Sequence, residues 1–287
     1  MDLLQDFLVE AGHEVHRIDW AARSMDRCDV GVFLELLNPR LLPYMRKSVG
    51  IFNMEWFAIQ WRRYLNNMDQ LWAKSNESHE IFNEIGLGKK ARYTGFMSRD
   101  LYDAGIERAD TCLHFKGHSD LKNTPAVLEA WRRHPDLPQL TIVSNNPVDG
   151  LPDNVRLLRH VSHGELVRLM NESRIHLCPS RSEGWGHYIT EGLSAGAYVI
   201  ATNASPMNEH VRSEWGRLVE PSAKHRRGMA SEYDVDPDAI ANAVRDAMLM
   251  DAAEREKRSM LARNHIASRN QEFEKMAIQL LGELQCT

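Results

Sequence analysis

The sequence predicts an α/β protein built of two doubly wound, Rossmann-like halves in tandem, and three observations predict it. Short apolar runs rich in Val, Ile, Leu and Phe alternate with amphipathic segments of about ten residues, the rhythm of right-handed βαβ units and of a parallel sheet covered on both faces. That rhythm runs once through residues 1–96 and restarts after Gly105. The length, 287 residues, suffices for two domains of ordinary size.

The elements follow in order. A helix is predicted over 2–11, with Leu3, Leu4, Phe7 and Leu8 on one side and Gly12 as its left-handed stop. His13 to Asp19 alternates as a strand would, and apolar runs at 29–36, 49–55, 70–75 and 92–96 give further strands. Helical segments at 39–47, 56–66 and 76–85 separate them, the last closed by Gly86. In the second half strands are predicted at 112–117, 140–145, 155–161, 174–180 and 198–203, with helices at 124–133, 164–172 and 188–195. A helix-rich tail runs from Pro237, with segments at 252–266 and 270–284. The polar stretch 98–110 (SRDLYDAGIERAD) has no strand pattern, so the expected domains are 1–105 and 106–268, with 269–287 a closing helix. A half of this kind normally opens on a strand, and this one opens on a helix. Either the first strand is absent by nature or the natural beginning is missing, and in both cases the N-terminal domain is expected to be abbreviated.

Composition narrows the class. Hydrophobic residues are 43% and charged residues 26%, a globular mix that excludes disordered and collagen-like chains. A net charge of -5 gives no global positive field, so nucleic acid or an anionic membrane would have to meet a local patch. Cys28, Cys112, Cys178 and Cys286 form no C-x-x-C pair and read as reduced thiols of a cytoplasmic protein. No apolar run approaches the roughly 18 residues of a membrane span, and the acidic start is not a secretion signal. Neither H-E-x-x-H, a P-loop nor G-x-S-x-G occurs, so metalloprotease, kinase and serine-hydrolase readings fall away and no metal is expected.

The chemistry concentrates in 176–210, HLCPSRSEGWGHYITEGLSAGAYVIATNASPMNEH, which reads strand, loop, helix, strand, loop. Gly184 and Gly186 stand where the loop enters the helix, a place where backbone N–H groups and the helix dipole favour an anion. Glu183 precedes the helix and Glu191 lies inside it. Two acceptors beside a phosphate cradle suit a nucleotide sugar, one for sugar hydroxyls and one for ribose. Two solvated glutamates flanking a structural loop are the plainer reading.

The whole string resembles the C-terminal half of the family 4 retaining glycosyltransferases of the GT-B fold, matching at Glu183, Gly184, Gly186, Glu191, Ala195, Gly196 and 199–202. A second segment, 114–143, is similar to that family's G-R-x-x-x-x-K-G loop, with Gly117 at the glycine, Lys122 at the lysine and His118 where the family has arginine. Histidine lacks the bidentate fork, so donor affinity or its pH dependence departs from the family pattern. The resemblance implies a GT-B fold with a cleft between its two domains, a closing helix that packs back on the first, and transfer of a hexose from a UDP- or GDP-linked donor with retention, metal-independently and without a cofactor other than the nucleotide-sugar substrate. It implies catalytic roles for Glu183, Lys122 and His118 and a donor site of Gly117, His118, Lys122, Glu183, Gly184, Trp185, Gly186, His187, Tyr188 and Glu191. Lys122 would stabilise the departing diphosphate.

On the acceptor side, Asn53, Glu55 and Trp56 open a helical segment after a strand. Glu55 is there either to take a proton from the acceptor or to cap a helix. The aromatic run Trp56, Phe57, Trp61 and Tyr64 reads as core packing or as an acceptor face. The acceptor is expected to be a saccharide or glycolipid. The basic cluster Lys224, His225, Arg226 and Arg227, read as a solvated loop, leaves room for a phosphate-bearing acceptor or a hydroxymethylated DNA base of the phage type. A nucleotide-sugar-binding protein without turnover and a GT-B sugar epimerase stay open.

Overall fold

Two all-parallel sheets organise the molecule. The computed structural model describes residues 2–117 and 119–285, and these form two compact units: Met1–Met97 with Arg226–Ser231 and Ser268–Thr287, and Ser98–His225 with Glu232–Ala267.

Unit 1 begins with α1 (Asp2–Glu10), then β1 (Cys28–Glu35), β2 (Met45–Phe52), α2 (Arg62–Leu65), β3 (Gln70–Ala73), α3 (Asn76–Glu84) and β4 (Ala91–Tyr93). The strands lie in the order β1-β2-β3-β4 and pair in parallel. Residues 13–19 form no strand. Their side chains alternate, but no neighbour offers a ladder and Ile18 is exposed, so the pattern has no apolar face to bury. The segment 39–47 is a short 3-10 helix, Pro39–Tyr44, followed directly by β2. Pro43 lies within it and removes a backbone donor. The segment 56–66 is broken into a 3-10 turn, Ile59–Trp61, and the single turn α2. Phe57 and Leu65 are buried, and Trp61 and Tyr64 pack partly against the same core as Phe52, Leu71 and Phe82. Trp56 instead is half exposed beneath the Arg227 guanidinium, 4.7 Å from its ring centroid.

Unit 2 carries β5 (Ala109–Phe115), α4 (Thr124–Arg133), β6 (Leu140–Val143), β7 (Val155–Leu158), α5 (His163–Glu172), β8 (Ser173–Cys178), α6 (His187–Ser194), β9 (Tyr198–Thr202), α7 (Met207–His210) and β10 (Gly216–Val219). The strand order is β10-β9-β8-β5-β6-β7. It reverses at β5, so the carboxyl ends of β5 and β8 flank a switch point of the kind at which open α/β sheets take ligands. Trp131 of α4 is fully buried with Ile142, Leu177 and Ile200 from the sheet and Val244 from the last helical layer. That layer is α8 (Pro237–Met248), opened by an Asp236 cap.

Two further differences from the sequence reading have plain causes. The segment 218–240 is not a loop: it contains a hairpin, β11 (Pro221–Arg227) and β12 (Ala230–Val235), turned at Gly228 with φ +58°. Ala230 is buried in the core of unit 1, and the Ser231 N–H donates to Glu77 Oε1 at 2.8 Å. The tail forms one 34-residue helix, α9 (Ala252–Gln285), because nothing between 266 and 270 is Gly or Pro. Its later half belongs to unit 1, where Phe273 is packed edge-on by Phe7, Trp72 and Phe96. The Gln70 amide donates to the Leu280 carbonyl there.

Candidate donor site at the carboxyl end of β8

β8 delivers the chain to the loop 179–186, and α6 takes it away. Gly186 is the N-cap residue of α6 with φ +94°, a left-handed conformation that costs an L side chain roughly 1–2 kcal/mol. An added Cβ would also press on the Ile189 side chain at 3.1 Å. Glycine is therefore what lets the loop turn into the helix and bare its first N–H groups, which have no partner within the helix.

Around that terminus the side chains converge. Lys122, at the end of a 3-10 turn that leads from β5 into α4, places Nζ 2.5 Å from Glu183 Oε1. The same Oε1 accepts from Ser180 Oγ at 2.6 Å. Ser180 Oγ also bonds the Tyr188 hydroxyl, and Lys122 Nζ lies 3.9 Å from the centroid of the Tyr188 ring. The two segments are locked at the backbone: Arg181 N–H donates to Leu121 C=O at 2.7 Å, and Thr202 Oγ1 donates to Ser180 C=O at 2.7 Å. Lys122 and Glu183 are both largely buried, so their attraction is screened far less than a surface pair's. Burial raises the Tyr188 phenol well above its ordinary pKa, and it stays a neutral donor.

Glu191 sits one turn into α6, and burial raises its carboxyl above the usual range, with Arg99 and then Lys122 pulling it back. Trp185 is a buried wall: its Nε1 donates to Ser98 Oγ at 3.2 Å, His210 Nε2 bonds its carbonyl at 2.7 Å, and the His210 ring meets it edge-on at 4.3 Å. His187 is half-buried and Gly184 buried. Gly117, φ +56° with open space where a Cβ would stand, lies in the loop after β5. His118 lies outside the described residues. Asn123 Nδ2 and Ser182 Oγ, in the residues next to Lys122 and Glu183, are buried without a hydrogen-bond partner, a state that native structures rarely leave unanswered.

The sequence-selected donor residues Lys122, Glu183, Gly186, Tyr188 and Glu191 thus stand on one side of one sheet end. Ser180 and Arg99 were not singled out. Ser180 was visible as the serine three residues before Glu183, whereas Arg99, in a polar stretch without pattern, gave no signal. In unit 1, Asn53 follows β2 and its side-chain oxygen accepts from Lys74 Nζ. Lys74 is buried at the carboxyl end of β3, and Glu55 is buried in the turn that follows Asn53. Among the described residues no group of three or more His, Cys, Asp or Glu is placed to hold a metal ion, and no helix is long and apolar enough to cross a membrane.

Comparison with known proteins bears on this geometry. Over 71 residues, a quarter of the chain, the sequence is 34% identical to the phosphatidylinositol N-acetylglucosaminyltransferase gpi3 subunit of Schizosaccharomyces pombe, and the match spans 16% of that protein's length. Among solved structures, a glycosyltransferase from Rickettsia africae ESF-5 superposes with a TM-score of 0.65 at 15% identity, covering 83% of this chain and 71% of that one. HepE of Anabaena, solved with UDP and glucose, gives 0.64 at 17% identity over 83% and 72%. The sucrose-phosphate synthase of Thermosynechococcus elongatus gives 0.66 at 17% identity over 84% and 68%. The fold is that of the GT-B glycosyltransferases, and residues 149–266, which contain the 179–186 loop and α6, match the family described as glycosyl transferases group 1.

Proposed function

We propose that the protein transfers a hexosyl group from a nucleotide-diphosphate sugar to an acceptor hydroxyl, with retention of configuration and without a divalent ion. The observation that carries this reading is the Lys122–Glu183 pair at the N-terminus of α6.

In this reading the donor diphosphate lies against the first N–H groups of α6 and draws Lys122 away from Glu183. As the glycosidic bond breaks, negative charge grows on the departing phosphate oxygen, where the ammonium and the helix dipole are already in place. Gly117 adds to the cradle, and the sequence pattern assigns His118 to the same diphosphate. Glu183, released from Lys122 but still bonded to Ser180, orients the sugar hydroxyls. Glu191, whose raised pKa reflects a poorly hydrated setting, accepts from the ribose. Trp185 and His187 line the donor. Retention follows if the departing diphosphate takes the proton of an acceptor hydroxyl that attacks from the same face.

A UDP-linked hexose is the preferred donor, in keeping with the UDP and glucose bound by HepE. The acceptor is a saccharide or glycolipid, with Asn53, Glu55 and Trp56 on its side. The basic cluster is committed internally, His225 to Asp234 at 2.8 Å, Lys224 over Tyr233 and Arg227 over Trp56, which is why no polyanionic acceptor is proposed.

The test is nucleotide release from a panel of UDP- and GDP-sugars, with and without saccharide acceptors and with a chelator. Release of UDP that survives chelation and is lost in Lys122→Ala supports the reading. Product from donor alone, rearranged rather than transferred, would establish an epimerase, and binding without release a non-catalytic protein.

A further inference from the structure

Unit 2 has a concave feature at the opposite end of its sheet from the loop 179–186. A cavity of about 360 Å³ opens at the amino ends of β5, β8 and β9 and is capped by the α8–α9 corner. Its size lies in the range of small-molecule sites. Apolar walls come from Ile106, Ile175, Tyr198, Trp215 and Met250, and four guanidinium groups, Arg108, Arg174, Arg255 and Arg258, enter it against a single lining carboxylate, Glu256.

The arginines are incompletely answered. Arg174 and Arg255 share one carboxylate, Asp110, at 2.6 and 3.0 Å. Arg258 is paired with Glu254. Arg108 has no carboxylate partner: one of its amino groups donates to the Ala195 carbonyl, and Nη1 is buried with no partner at all. Arg255 Nε is in the same state. Arg263 stands behind them, its guanidinium 3.3 Å over the Tyr102 ring and its Nε also unanswered. Five guanidinium groups against three carboxylates, in a chain of net charge -5, form a local inversion of sign. The Arg108 pKa is held down by burial first, Tyr102 and Glu256 opposing the shift and the neighbouring Arg174 and Arg263 charges adding to it, a balance that an anion would move upward. Space was kept for this arrangement: Gly196 has φ +79°, and an added Cβ would meet Ser259 Oγ at 2.3 Å and Arg108 Nη2 at 3.1 Å.

We propose that this cavity binds a small phosphomonoester, its phosphoryl group on Arg108, Arg174 and Arg255 and its organic part against Tyr198 and Trp215. Guanidinium forks suit phosphate oxygens, and the aromatic walls suit a sugar or a base. The site is separate from the donor site, and neither Lys122 nor Glu183 contributes to it.

The experiment is calorimetric titration of the full chain with inorganic phosphate, then with glucose 6-phosphate and with AMP to separate sugar phosphate from nucleotide. Saturable binding at millimolar concentration or below is expected. Arg108→Gln and, separately, Arg255→Gln should each weaken it about tenfold, the worth of one charge-assisted hydrogen bond. Lys122→Ala should leave it unchanged. No heat with any of the three ligands, affinity in both arginine variants unchanged from that of the unaltered protein, or loss in Lys122→Ala would each overturn the proposal, the last by moving the anion to the donor site. Should the arginine variants fail to fold, amide NMR of the unaltered protein decides: shifts centred on Arg108, Arg174 and Tyr198 uphold the site, and shifts centred on α6 refute it.

Discussion

Lys122 Nζ is 2.5 Å from Glu183 Oε1 and at the same time 3.9 Å from the centre of the Tyr188 ring, so the cation proposed for the donor diphosphate already has a carboxylate partner. Donor binding is then an exchange of partners. Glu183→Gln should tighten UDP binding by about threefold to tenfold, since it removes the competing charge, while lowering turnover because the sugar loses its acceptor. Lys122→Ala should reduce donor kcat/KM by about two to three orders of magnitude. Calorimetry with UDP and initial rates with the UDP-sugar would read the two effects apart, and Glu183→Gln binding UDP less tightly would argue against the exchange.

Glu191 offers a stability test with a definite sign. Its folded pKa is raised, chiefly by burial, so between its unfolded value and its folded value the native state holds the proton more firmly. Stability contributed by the protonated form is present below that window and is lost as pH rises through it. At neutral pH the buried carboxylate thus costs stability. Glu191→Gln should therefore raise Tm at pH 7 by about 2 °C, have little effect at pH 4, and weaken donor binding. A fall in Tm at pH 7 would mean the charge is well solvated in the native state.

His114 and His176 act in the opposite direction. His114 joins β5 to its neighbours, Nδ1 on the Leu177 carbonyl at 2.8 Å and Nε2 on Thr124 Oγ1 at 2.9 Å, and burial lowers its pKa to about 4. His176, bonded to the Met170 carbonyl, is lowered to about 3, again by burial first. The unfolded chain takes up these protons near the ordinary imidazole value of 6.5 and the native state does not, so stability is full above that value and declines as pH falls toward 4. Urea unfolding between pH 7 and 4.5 should show this decline, with a smaller slope in His114→Gln.

Much of the second half was legible because its strands are continuous apolar runs and its helices are bounded: 124–133 opens at Thr124 with Pro125 and ends as predicted, and α6 departs from the prediction by one residue at each end. The grouping of the candidate donor residues around one strand–loop–helix turn was legible because their spacing is tied to that turn. The first half was less so. Alternation at 13–19 mimicked a strand because side-chain pattern says nothing about whether a neighbouring strand exists. The run Trp56 to Asn66 had the apolar content of a helix, yet burial of Phe57 and Leu65 is achieved by turns. The hairpin at 221–235 was hidden because its partner for Arg181 is a pair of acids, Glu232 and Asp234, fifty residues along the chain. Arg108 and its companions at the far end of the sheet are scattered in sequence and come together only in the fold.

That hairpin yields the last prediction. Arg181, inside the donor loop, bonds Glu232 at 2.8 Å and Asp234 at 2.8 Å, and its carbonyl accepts the Tyr233 N–H at 2.8 Å. One residue thus ties the base of the hairpin to the loop that carries Glu183. Arg181→Met removes both ion pairs, taking the guanidinium from Glu232, which is largely buried, and from Asp234, which keeps His225, while the backbone bond remains. The hairpin should then open more often, and trypsin should cut after Arg226 or Arg227 several-fold faster, since cleavage tracks the population of the open form. Donor affinity should fall in the same variant, because the loop loses its brace. Unchanged cleavage with reduced donor affinity would place the role of Arg181 in the loop alone, and unchanged values of both would show that the backbone bond and the burial of Ala230 suffice to hold the hairpin.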